Sequence, residues 1–155
     1  YAFSKLKSAH YRIQYLSEAV KDPVGKIIGP NEVASWQTND LDLGGSGAVL
    51  PPFDVSYNGL TYPDTDKKQT PSSDAPLPFF WSTHLQAKKY RVKLWDTSNG
   101  NVINPSGKAK WTSDWTENPT VAYSGNPGIG NYGWEVEIDA GDAGLGKSRV
   151  RSVQF

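Results

Sequence analysis

Three short stretches of the chain alternate apolar and polar side chains at every second position. In "YRIQYL", Tyr11, Ile13 and Tyr15 fall on one side, and Arg12 and Gln14 on the other. In "YRVKL", Tyr90, Val92 and Leu94 oppose Arg91 and Lys93, and in "WEVEI", Trp134, Val136 and Ile138 oppose Glu135 and Glu137. Successive side chains of a strand point to opposite faces, so this alternation is the mark of a half-buried strand. Tyr11 to Val20 is the one stretch that could pass as a helix, and its alternation favours strand. The pattern predicts an all-β chain in which the 90–94 and 134–138 triplets lie inward as neighbouring rungs between two stacked sheets.

Turn chemistry separates these segments. "DTSNGN" (Asp96 to Asn101) holds an Asn-Gly pair, which tolerates positive φ in tight hairpins. "LGGSG" (Leu43 to Gly47), "YNG" (Tyr57 to Gly59), "SGNPGIG" (Ser124 to Gly130) and "AGDAGLG" (Ala140 to Gly146) are further breaks. The longest polar stretch without periodicity, Pro63 to Pro78, reads as an extended connector. Around it the text partly repeats. "AHYRIQYL" matches "AKKYRVKLW", "ASWQTND" parallels "AKWTSDW", and "FDVSYNG" parallels "PTVAYSG". Ordered correspondences of this kind point to two copies of one supersecondary pattern. The expected organisation is a β-rich unit over 1–62, a connector over 63–78 and a sandwich over 79–155. The first unit is incomplete, for it has no counterpart to "NYGWEVEI".

Composition narrows the function. Sixteen basic and sixteen acidic side chains cancel in 155 residues, so no basic excess favours nucleic acid or an anionic membrane. No apolar run approaches the roughly 20 residues that span a bilayer. Cysteine is absent, which excludes disulfides and thiolate chemistry. Methionine is absent even at position 1, so the reading is a processed or excised chain, placed outside the cytoplasm.

The second part also resembles a known family. "APLPFFWST", "YRVKLWD", "KWTSDW", "TVAYSG" and "YGWEVEIDAGDAGLGKSRVRSVQF", together about Ser72 to Phe155, resemble the fibronectin type III-like domains of bacterial secreted and surface proteins. The resemblance implies a seven-stranded, two-sheet antiparallel sandwich of immunoglobulin-like type. Trp81, Tyr90, Val92, Leu94, Val121, Tyr123, Trp134, Val136 and Ile138 would form its core. Tyr132 would take the place of the corner tyrosine that bonds back to the preceding loop, and Lys147 to Phe155 would close the sheet.

Residues with chemistry to offer are few. His10 and His84 are the only histidines, and both read as surface or edge residues rather than catalytic ones. Asp40 with Asp42, Asp64 with Asp66, and Asp139 with Asp142 have oxygen ligands at spacings calcium accepts. None has a distal glutamate, and aspartate beside glycine is ordinary turn composition. Glu135 and Glu137 read as a solvated strand face, not as a hydrolytic pair. "LGGSG" lacks the Lys and Ser/Thr of a phosphate loop. No metal and no cofactor are expected.

The remaining lead is aromatic. Trp36, Trp95, Trp111 and Trp115 do not all fit the alternating core and are the candidate contact residues, Trp111 and Trp115 foremost. The expected function is a non-catalytic extracellular interaction or spacer module that meets a protein or glycan surface. One alternative is a carbohydrate-binding module or lectin using exposed Trp and Tyr. Another is a subunit of a surface filament joined by strand exchange, since an open sheet edge is a pairing template.

Overall fold

The computed structural model describes residues 7–17, 20–21, 27–28, 33–43, 49–57, 59–63, 67–97 and 108–155. Their strands are β1 (His10–Tyr11), β2 (Gln14–Leu16), β3 (Val20–Lys21), β4 (Ile27–Ile28), β5 (Ser35–Gln37), β6 (Leu41–Asp42) and β7 (Leu60–Tyr62). Then follow β8 (Leu77–Trp81), β9 (Lys89–Asp96), β10 (Trp111–Thr112), β11 (Thr120–Tyr123), β12 (Asn131–Asp139), β13 (Leu145–Lys147) and β14 (Arg151–Gln154). A single 3₁₀ turn at Gly141–Ala143 interrupts them, and there is no α-helix among the described residues. None of their helices is long and apolar enough to cross a membrane. The protein is an all-β antiparallel sandwich.

The nine-residue β12 is the spine of the larger sheet. On one side it pairs with β9 from Tyr132 opposite Asp96 to Asp139 opposite Lys89. On its other side β14 pairs with its first half and β13 with its second. The sheet runs β10-β9-β12-β13-β5-β2, and a smaller sheet runs β11-β8-β7. The register sets Leu94 opposite Trp134, Val92 opposite Val136 and Tyr90 opposite Ile138. All six are buried, as the alternation predicts. From the facing sheet Phe79 meets Trp134 edge-on at 5.0 Å, and Trp81 meets Tyr90 at 5.7 Å. Burying one such side chain contributes about 1.5–3 kcal/mol, which makes this layer the main source of cohesion. Tyr132 donates its hydroxyl to the Pro127 carbonyl at 2.6 Å, in the manner of a corner tyrosine. Tyr11, Ile13 and Tyr15 are half-buried while Arg12 and Gln14 are exposed, so the first alternator is also read correctly.

The expected partition at 63–78 does not correspond to a partition of the core. β5 pairs with β13, setting Trp36 opposite Gly146. Val33, Trp36 and Tyr57 belong to the same buried cluster as Phe79, Trp134 and Phe155. Within the span, Gln69 N–H donates to the Gln154 carbonyl at 2.8 Å, and β8 begins at Leu77. Asn-Gly at 99–100 and residues 44–48 and 64–66 lie outside the described residues.

Two buried serines stand where a flanking strand ends: Ser148 just after β13 and Ser113 just after β10. Ser148 gives its backbone N–H to the Val136 carbonyl at 2.8 Å, and its hydroxyl accepts the Val136 N–H at 2.9 Å. The same hydroxyl donates to the Arg149 carbonyl at 2.9 Å. Across the rung, Ser113 repeats the pattern on Val92, at 3.0 Å and 2.9 Å, and donates to the Asp114 carbonyl. Each hydroxyl satisfies a core N–H where the flanking strand bends away. We expect Ser148→Ala to cost about 1–2 kcal/mol in urea-melt stability, because the Val136 N–H is left buried without an acceptor. Unchanged stability would mean the strand closes over the gap.

Candidate functional site

The cross-strand register builds one row of side chains on the outer face of the large sheet. Arg91 stands opposite Glu137, Glu137 opposite Lys147, Lys147 opposite Ser35 and Ser35 opposite Leu16. Trp115 extends the row at the β9 edge, with the Arg91 guanidinium carbon 4.5 Å from its ring centroid. Trp115 is 37% exposed, and Leu16 and Leu145 are exposed on the same face. Guanidinium against an indole face is an attractive electrostatic contact, and here it fixes the orientation of an aromatic ring that solvent still reaches.

Two carboxylates stand on this face, Glu137 in the row and Glu135 opposite Lys93 beside it. Glu137 accepts from Arg91 Nε and, at 2.7 Å, from Lys93 Nζ, with Lys147 Nζ at 3.5 Å. Lys147 Nζ is 3.9 Å from Glu135. Side-chain exposure is only 8% for Glu135 and 10% for Glu137, against 44% for Lys147. The expected solvated face is therefore corrected: alternation places these groups away from the core, and the surrounding cationic side chains shield the carboxylates from water. Burial raises the Glu135 carboxyl above its ordinary value, further than the Lys147 charge lowers it. Burial also acts upward on Glu137, but the hydrogen bonds from Lys93 and Arg91 outweigh it and hold Glu137 below its ordinary value. Oppositely shifted carboxyls are the arrangement acid–base catalysis uses. Here, however, Glu137 is held by two cations and Glu135 is almost closed to solvent.

The other sequence candidates divide. Trp36 is fully buried, donates its indole N–H to the Ala143 carbonyl at 2.8 Å, and stacks on Phe53 at 5.7 Å. Trp111 stands opposite Leu94 and therefore faces inward, against Phe79 at 5.9 Å and Tyr123 at 4.8 Å. Trp95 shares the outer face with Arg91 and Lys93, as alternation requires, but is buried, with Lys93 Nζ 5.9 Å from its ring. Trp36 and Trp95 are corrected from exposed contact residues to buried ones and Trp111 to a partly buried one packed on the core, while Trp115 is the tryptophan that stands exposed. His84 is corrected too. It is buried, donates from Nε2 to the Asp54 carbonyl at 2.9 Å and accepts at Nδ1 from Gln86 N–H at 3.2 Å. Its partners assign the neutral tautomer protonated at Nε2.

No group of three or more metal-ligating side chains occurs among the described residues. Asp139 accepts the Gly141 N–H at 2.8 Å, which is turn chemistry, and Asp40 pairs with Arg12 at 2.7 Å. Asp64 and Asp66 lie outside the described residues. Sequence reasoning missed the outer face of the small sheet, where exposed Phe80 lies 6.2 Å from Tyr62. The alternation of "LPFFW" is the signal that would have found it. Compared with known proteins, the chain matches no family model, no curated protein and no solved structure.

Proposed function

We propose that this chain is a non-catalytic interaction module of a secreted or surface-assembled protein, built on a fibronectin type III-like sandwich. The strand count from Leu60 onward supports that kinship. β7, β8 and β11 form one sheet, and β10, β9, β12 and the β13–β14 side form four positions of the other. The module reading is carried by one observation: Trp115 is the tryptophan that stands exposed, and Arg91 lies against its ring on the outer face of the large sheet. The groups that catalysis would draw on, His84 and Glu137, are engaged in structural bonds. The carbohydrate-binding variant of this reading is favoured by the same ring, since a fixed indole suits the apolar face of a sugar.

The test is a screen of the chain against glycan and protein arrays, repeated with Trp115→Ala. A genuine partner should lose roughly 10- to 30-fold in affinity, the cost of truncating an aromatic anchor. Glycan hits that vanish in the variant select the lectin variant, and protein hits select the spacer or adhesive one. Hits indifferent to Trp115, or none at all, would remove this face as the contact surface.

A further inference from the structure

We infer that two copies of this chain pair edge to edge through β11, as an antiparallel two-fold dimer in which their small sheets join into one. This edge belongs to the small sheet and is distinct from the Trp115 face of the large one. β11 has β8 on one side and no strand among the described residues on the other. The Trp81 N–H donates to the Pro119 carbonyl at 3.1 Å, which makes 81 and 119 a hydrogen-bonded pair. Such pairs alternate along an antiparallel ladder, so Phe79 with Val121 and Leu77 with Tyr123 are the next two. Thr120 and Ala122 therefore turn their N–H and C=O groups away from β8, toward the open edge. Pro78, opposite Ala122, has no N–H to give and agrees with that register.

Short length, bulges, prolines and charges are the devices that keep sheet edges from pairing. β7 is three residues long, shifts register between Leu60 and Tyr62, and is followed by Pro63. β10 is two residues long, with exposed Lys110 and Asp114 beside it. β11 is four residues long with no register shift, and from Asn118 to Trp134 the sequence holds no Asp, Glu, Lys, Arg or His. Pro119 withholds a donor only on the β8 side. The same strand is its own complement. A two-fold axis at Val121 sets Thr120 against Ala122 of the second copy, and each outward N–H then meets a carbonyl. Val121, half-buried and packed on the core, meets its counterpart as a non-hydrogen-bonded pair, with Cα atoms about 4.5 Å apart. Ala122 is exposed and small, and the nearest charge along the strand, Glu117, falls opposite Gly125 of the second copy. No like charges oppose each other in this register, which is what selects a second copy over a foreign strand.

Sedimentation velocity of the whole chain from about 10 μM to about 1 mM covers the affinity range of so small an interface. A monomer–dimer equilibrium should appear and should persist at about 1 M salt, because no charge takes part. Ala122→Pro removes an outward N–H and no bond to β8, and should weaken the dimer by about 10-fold or more. Val121→Cys, in a chain with no other cysteine, should give a disulfide-linked dimer under mild oxidation, since the Cα spacing suits the bond. Ser124→Cys, about 20 Å from its own counterpart in this register, should not. The cross-link decides the matter if Ala122→Pro melts early. A chain that stays monomeric throughout overturns the inference, even where a foreign peptide adds to β11. A dimer that ignores a folded Ala122→Pro variant overturns it, as does Val121→Cys linking no better than Ser124→Cys. Open-ended oligomers overturn it too, since a two-fold pairing closes on itself.

Discussion

Trp36→Ala should lower the unfolding free energy by about 3–5 kcal/mol, the range for emptying a buried aromatic site, out of roughly 5–15 kcal/mol for an ordinary domain. Trp36 is fully buried between His84, at 5.2 Å, and Phe53, and its N–H is bonded to the Ala143 carbonyl. Gly146 lies directly opposite, and a Cβ there would sit 2.5 Å from the indole, so the glycine makes room for the ring. Truncation leaves a cavity with rigid walls on both sides and a buried carbonyl without its donor. Since β5 is hydrogen-bonded to β13, the loss should reach the whole sandwich rather than the first sixty residues alone. Urea melts followed by tryptophan fluorescence and by far-UV circular dichroism should shift together, in one transition. Limited proteolysis of the parent chain between Pro63 and Pro78 should leave a single resistant body. Two independent transitions, or a second part whose midpoint ignores Trp36→Ala, would show that the core is not shared.

The sheet spine was legible because alternation is a local property. "YRVKL" and "WEVEI" each state which side chains face in, and the register then places Val92 against Val136. Tyr132, the second residue of β12, was expected from the resemblance alone to bond back to the preceding loop, and its hydroxyl does reach the Pro127 carbonyl. Trp36 was not. In "ASWQTND" nothing distinguishes a tryptophan exposed on a short strand from one buried by a partner more than a hundred residues away, and the burial is decided by Gly146 and Ala143. Trp111 was misread for a similar reason: its flanking "TSD" is polar, but Ser113 there serves the Val92 N–H rather than solvent. Trp115 differs because the row it joins ends at the β9 edge, with Arg91 as its floor. The glutamates show the limit of a two-face reading. Alternation separates core from outside, and it does not say whether outside is wet. Three cations from two neighbouring strands decided that.

The same carboxylates set the pH dependence of stability, with opposite signs. Glu137 has a folded pKa below the ordinary 4.5, so over the interval beneath 4.5 the unfolded chain binds more protons than the folded one. Stability therefore rises with pH there, is fully present above 4.5, and is lost as acid protonates the folded carboxylate. Glu135 has a folded pKa above 4.5, so in the interval just above 4.5 the folded chain holds the proton more firmly. Stability falls as pH rises through that interval. Together the pair favours a maximum near 4.5; the falling limb comes from Glu135, and Asp54, held low by the Ser56 N–H, adds to the acid limb of Glu137. Glu137→Gln should shrink the acid limb and cost about 2–3 kcal/mol at neutral pH, below the full 3–5 kcal/mol of a completely buried broken pair because Arg91 and Lys93 keep some solvent. The amide can accept from one cation, but its NH₂ then faces the other. Glu135→Gln should abolish the falling limb and leave neutral stability equal or higher, because a costly buried charge is gone while Lys147 keeps Glu137 as a partner. Urea midpoints from pH 3 to 8 for the parent and both variants read this directly. Parallel curves for all three proteins would show that neither carboxylate is perturbed by the face it lies in.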